Sequence, residues 1–114
     1  MQADLIIRGA DIIDGTGAPR RRGDVAVTDD RIIATGDLTH WSAGREIAAA
    51  GRGVAPGFID PHVHHDGAML TRPDMEFMTS QGVTTVINGN CGFSIAPLKR
   101  MGAVPGPLRM IIED

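Results

Sequence analysis

Short apolar runs, each closed by a glycine or a proline, set the first limit on what this chain can form. Fifteen glycines and seven prolines are spread over 114 residues. No apolar stretch therefore approaches the roughly 20 residues needed to cross a bilayer, and short strands joined by tight turns are the elements this punctuation favours. Apolar residues still make up 42% of the chain, enough for a core, and the net charge of -3 gives no reason to expect a nucleic-acid partner. The basic run Arg20-Arg21-Arg22 follows Pro19 and reads as a solvated turn, because a basic footprint needs a wider patch. Residues 1–11 alternate charged and apolar side chains, unlike a secretory signal. Cys91 is the single cysteine, which excludes an internal disulfide and suits a reducing compartment. A soluble cytoplasmic protein with no membrane partner is expected.

The pattern of the runs changes partway along. Leu5-Ile6-Ile7 and Ile12-Ile13 flank Gly9, and Gly15-Thr16-Gly17-Ala18-Pro19 then breaks the run. Val25 and Val27 alternate with polar neighbours, and Asp29-Asp30 forms a turn into Arg31-Ile32-Ile33-Ala34, a hairpin with one buried face. A third segment, 46–50, leads through Gly51 and Gly53 toward Val54, and Trp41 is expected to pack against the sheet. Residues 1–53 thus read as a small antiparallel, sandwich-like β unit. Beyond it, Gly57-Phe58-Ile59-Asp60 is a short buried-type strand. Residues 73–81 read as a helix with Thr71 as its cap, Pro73 in its first turn and Gly82 at its end. Met75 and Met78 would be its core residues. Residues 83–87, β-branched and nearly all apolar, suit a strand covered on both faces. Strand, helix, strand in that order is a βαβ unit with a parallel pair, and 108–112 is placed as a further helix. A (β/α)8 barrel takes about 250 residues. The segment 54–114 is long enough for only its first strands and helices, so the fold class expected is mixed β plus α/β, with an incomplete barrel.

Two constellations carry chemistry. In Asp60-Pro61-His62-Val63-His64, residues two apart in an extended chain point the same way. His62 and His64 can therefore converge on one ion, imidazole being the commonest metal ligand. The other reading is a pair of surface histidines at a strand end. In Asn88-Gly89-Asn90-Cys91-Gly92, glycines on both sides let the backbone turn sharply and leave the sulfur accessible. A thiolate beside a divalent cation is a strong ligand; the other reading is an inert buried cysteine. Both motifs follow consecutive parallel strands, so both would emerge at the carboxyl end, where barrel enzymes keep their sites. His65 and Asp66 lie beside the pair, where such side chains could orient the metal ligands, with His65 instead expected at the surface, and His40 has no partner in view. Gly15-Thr16-Gly17 is not a dinucleotide fingerprint, since Pro19 prevents the required helix.

The stretch Val54-Ala55-Pro56-Gly57-Phe58-Ile59-Asp60-Pro61-His62-Val63-His64 resembles the first barrel strand of the amidohydrolase superfamily. The stretch Gln81-Gly82-Val83-Thr84-Thr85-Val86-Ile87-Asn88-Gly89-Asn90-Cys91-Gly92-Phe93-Ser94-Ile95-Ala96-Pro97 is similar to its N-acyl-D-amino-acid deacylase (D-aminoacylase) branch, in which a cysteine bridges the metals. Residues 4–19 are similar to that branch's small β domain. The resemblance covers residues 4–97. It implies a zinc-dependent hydrolase of carbon–nitrogen amide bonds, with one or two divalent ions in the intact enzyme and an N-acyl amino acid or related amide as substrate. Carried over by position, His62, His64 and Cys91 are the metal ligands, and Asp66 matches an acidic position after the histidine pair. His65 departs from the acidic or aromatic residue of the pattern. The branch's two later histidines, its late catalytic aspartate and the C-terminal return into the β domain have no counterpart in these 114 residues. No catalytic residue is therefore assigned here, and the chain is expected to be an N-terminal portion, inactive alone. It would self-associate or need a complementary barrel segment. Two other readings stay open: a cyclic-amide hydrolase of the dihydropyrimidinase or hydantoinase kind, and a non-catalytic β-rich interaction module.

Overall fold

A single long strand, β1 (Gln2–Ile12), organises the first half of the chain by pairing on both sides. The computed structural model describes residues 1–96 together with Gly106 and Arg109. It contains two compact units, Met1–Pro56 and Gly57–Asp114. The segment 108–112, read as a helix, lies outside the described residues apart from Arg109.

In the first unit, β2 (Arg21–Thr28) runs antiparallel to β1, and β3 (Arg31–Gly36) returns antiparallel to β2 through the Asp29-Asp30 turn. β4 (Ser42–Ala48) and the short β5 (Gly53–Val54) then lie along the other side of β1, both parallel to it. The antiparallel sandwich-like reading is thus corrected: among the described residues this unit holds one mixed five-stranded sheet, in the order β3-β2-β1-β4 with β5 beside β1. The reason is the connection after β3. Leu38 and Trp41 pack onto the cluster of Ala3, Ile6 and Ala26, so the loop carries the chain from one edge of the sheet to the opposite side of β1. Apolar alternation marks the strands but carries no information about that crossover.

Gly9 does not divide two strands. β1 continues through it with a bulge, the register shifting between Ile7 and Ala10. Gly9 sits at φ +68°, a conformation that costs glycine little, and its N–H donates to Asp24 Oδ1 at 2.7 Å. Beside it, Arg8 gathers the unit together. Its guanidinium donates to Asp24 Oδ2 (3.1 Å), to the carbonyls of Leu38 and Trp41 (both 2.8 Å) and to Glu46. Four elements meet at that one side chain.

The second unit holds β6 (Phe58–Val63) and β7 (Val83–Asn88), a parallel pair, with α1 (Asp66–Thr71) and α2 (Glu76–Thr79) between them. The helix read over 73–81 is corrected. Arg72 precedes Pro73 and is held out of the helical region at φ -134°, ψ 70°, as pre-proline sterics require. It therefore ends an earlier helix, α1, whose last residue is Thr71, and Thr71 is not the cap of the next. Pro73-Asp74 form a turn, Met75 takes a left-handed conformation, and only Glu76–Thr79 is helical. Gly82, at φ +82°, does stand where the chain leaves α2, its N–H bonded to the Thr79 carbonyl. Met78 is buried and Met75 half-buried. Phe58, Ile59 and Ile87, patterned for full burial, are exposed, because among the described residues β6 and β7 have only each other as sheet partners. No helix among the described residues is long and apolar enough to cross a membrane.

Candidate metal centre

β6 and β7 end side by side. Their parallel pairing runs from Phe58 opposite Val83 to Val63 opposite Asn88, with irregularities on the way. The residues leaving both carboxyl ends are thereby brought to one place. His62 lies near the end of β6, His64 just beyond it, and Cys91 in the loop after β7. One ligand atom from each of these three lies within 4.8 Å of the others, and all three side chains are exposed. Cys91 Sγ is 3.5 Å from His64 Nε2, and the two imidazoles meet edge to face, centroids 5.3 Å apart.

The hydrogen bond at the far side of His64 decides its tautomer. Nδ1 lies 3.1 Å from the Phe93 carbonyl oxygen, which can only accept, so a hydrogen bond there places the proton on Nδ1. The Nε2 lone pair then faces Cys91, the arrangement that a carbonyl partner imposes on metal-binding histidines. The Phe93 ring also packs against His64, at 5.5 Å between centroids. Asp60 serves the backbone: its Oδ1 accepts the His62 N–H at 3.1 Å.

The loop after β7 is shaped by two glycines in left-handed conformations, Gly89 and Gly92, with the Gly92 N–H closing on the Gly89 carbonyl at 2.8 Å. It is also held to the β6 side. Asn88 Oδ1 accepts the His65 N–H (3.2 Å), Asn90 donates to the Pro61 carbonyl (2.9 Å), and Asp66 accepts from Ser94 and Ile95. His65 is not the free surface residue read from the sequence. It is half-buried, precedes α1 as its N-terminal cap position, and stacks edge-on against Phe77 at 5.0 Å. His40 is exposed in the loop between β3 and β4. The sequence reading missed the Phe93 carbonyl, both asparagine side chains and the Asp66 contacts. Asparagines beside glycines in a loop hint at local bonding, but nothing in the residue pattern says with which atoms.

Two imidazoles and one thiol form a donor set suited to zinc and similar borderline-soft ions. A tetrahedral zinc ion, with Zn–N about 2.0–2.1 Å and Zn–S about 2.3 Å, holds its donors roughly 3.5 Å apart. The His64–Cys91 pair already has that spacing. By chemistry all three residues fit such an ion, and by distance the His64–Cys91 pair does, with His62 completing a set whose ligand atoms lie within 4.8 Å of one another.

Residues 45–106 match the family model described as "Amidohydrolase family", and the chain belongs to that family. It is 52% identical over 110 residues to the N-acyl-D-aspartate deacylase of Alcaligenes xylosoxydans xylosoxydans, covering 96% of this chain and 22% of that one. It also resembles the N-acyl-D-glutamate deacylase of Bordetella bronchiseptica, solved with zinc and a phosphonate that mimics the tetrahedral intermediate. That match has a TM-score of 0.87 and 48% identity over 97% of this chain and 23% of the other. A D-aminoacylase structure described for its binuclear metal centre matches with a TM-score of 0.86 and 51% identity, over 96% of this chain and 23% of that one. The chain spans about 22% of the length of the curated relatives it matches.

Proposed function

We propose that this chain supplies the His62, His64 and Cys91 portion of a zinc centre in a hydrolase that cleaves the amide bond of N-acyl-D-amino acids. The observation that carries this reading is the convergence of those three donors at the carboxyl ends of a parallel strand pair, where barrel enzymes place their chemistry. Residues 1–53 are then the N-terminal part of the small β domain, and 54–114 the opening strands and helices of a (β/α)8 barrel. Likeness to the N-acyl-D-aspartate and N-acyl-D-glutamate deacylases and to D-aminoacylase supports the substrate class. An ion bound here supplies Lewis acidity toward a carbonyl and lowers the pKa of a coordinated water. The chain's own part is to hold the ion: His64 through a tautomer fixed by Phe93, His62 through a backbone fixed by Asp60, and Cys91 through its stapled loop. A reducing cytoplasm keeps the exposed Cys91 thiol available.

Cobalt(II) titration of the 114-residue chain tests the centre. A thiolate-to-metal charge-transfer band is expected, absent in Cys91→Ala. Identical spectra for the two would remove Cys91 from the site. With zinc added, the isolated chain is expected to show no hydrolysis of N-acetyl-D-aspartate, because no acid–base residue is assigned to it. Turnover that survives purification and disappears in His62→Ala would show that these residues form a complete site.

A further inference from the structure

We infer that Asp66 is a positioning residue for Cys91, fixing the far end of the loop that presents the thiol. The inference rests on the metal-centre reading above and extends it to a residue that touches none of the three donors. Asp66 is the first residue of α1 and only 6% exposed. Its Oδ1 accepts both the Ser94 hydroxyl and the Ile95 N–H, three and four residues past Cys91, and the Ser94 oxygen in turn accepts the Ala96 N–H. Oδ2 is buried with no protein partner. Both bonds that Asp66 accepts come from the Cys91 loop, and a buried polar group left without partners is costly, so side chain and loop hold each other in place. Asn88 and Asn90 hold the near end of the same loop against His65 and Pro61. Without Asp66 the far end of the loop would be held by the bond between His64 and the Phe93 carbonyl alone, and Gly89 and Gly92 give its backbone little resistance to turning.

The rival role is structural: a negative charge at the start of α1 is favourable in itself. A double-mutant cycle separates the two. Cobalt(II) affinity is measured by chelator competition for the 114-residue chain, Asp66→Ala, Cys91→Ala and the double variant, with the charge-transfer band recorded wherever Cys91 is present. Asp66→Ala is expected to weaken cobalt about 10- to 100-fold, as loss of a residue that orients a ligand does, and to diminish the band. In the Cys91→Ala background the same substitution is expected to change affinity by less than about twofold, the limit set by additivity of uncoupled sites. Ser94→Ala removes one of the two bonds without disturbing α1. It should give a smaller loss in the same direction, again only when Cys91 is present, and it carries the test if Asp66→Ala does not fold. Equal losses in both backgrounds, or an affinity and band indifferent to Asp66, would overturn the inference while leaving the metal centre standing. A parent chain that binds cobalt with no thiolate band would bring down the centre and the inference together.

Discussion

The Arg8 guanidinium on β1 reaches across to the Glu46 carboxylate on β4, 2.5 Å away, so an ion pair ties together two strands that run parallel. That hydrogen bond is the leading reason the Glu46 carboxyl is held below its ordinary range and the Arg8 guanidinium above its own. The Asp14 and Asp37 carboxyls are lowered as well, chiefly by the Thr16 hydroxyl and the Thr39 N–H.

A depressed carboxylate stabilises the fold fully above its unfolded pKa, about 4.3 for glutamate, and loses that contribution as pH falls through the folded value. Stability is therefore expected to decline on acidification below about pH 4.3, and Glu46→Gln should make that decline shallower. Urea melts across the acid range check this. Parallel acid limbs for the two proteins would remove Glu46 from the account.

Ile6 is fully buried and lies opposite Ala26 across the β1–β2 pairing, with Ala3 and Leu38 completing the cluster. Small neighbours cannot fill the space a lost side chain leaves. Ile6→Ala is expected to cost about 2–5 kcal/mol, against less than roughly 0.5 kcal/mol for Ile33→Ala, which is exposed on β3. Denaturant midpoints, taken where the chain is monomeric, measure both. Equal costs would mean that the first unit is not packed around Ile6.

Gly57 stands where β6 begins, and a Cβ there would lie 2.1 Å from Thr84 Oγ1 and 2.7 Å from Thr84 Cβ. Rotating Thr84 could clear the hydroxyl but not its Cβ, so the backbones of the pair must part. Gly57→Ala is expected to destabilise by about 1–3 kcal/mol, the usual range for overpacking. Thr84→Ala should not relieve it and Thr84→Gly should. Rescue by Thr84→Ala would show that the contact is softer than the geometry implies.

Phe58 and Ile59 are 62% and 64% exposed on a two-stranded parallel sheet whose outer edges have no strand partner among the described residues. Unpaired edges beside exposed apolar side chains invite association. The sedimentation mass of the chain is expected to rise with concentration, and Ile59→Lys should reduce that rise. A monodisperse monomer at every concentration would show that this face is protected.

Much of this architecture was legible in the residues. Asp29-Asp30 marked the β2–β3 turn, Gly82 marked the exit from α2, and the βαβ order placed His62, His64 and Cys91 at neighbouring strand ends. These are local signals, in which a turn residue or a run of β-branched side chains states its own conformation. What escaped the reading depends on partners distant in the chain. The parallel placement of β4 follows from Leu38 and Trp41 finding the core, and Gly9 is a bulge because Asp24 meets its N–H. Pro73 is the exception, a local signal assigned the wrong side: it ended α1 at Arg72 and did not open α2.

The bonds that close the loop after β7 onto the histidine segment link residues 23 to 29 apart in the chain. Loop-closure entropy rises only as the logarithm of length, roughly 0.6 kcal/mol per doubling, so this closure is among the less costly tertiary events available to the chain. The three donors can therefore come together as soon as β6, α1, α2 and β7 have formed, and the order in which the remaining polypeptide folds need not decide when the ligands meet.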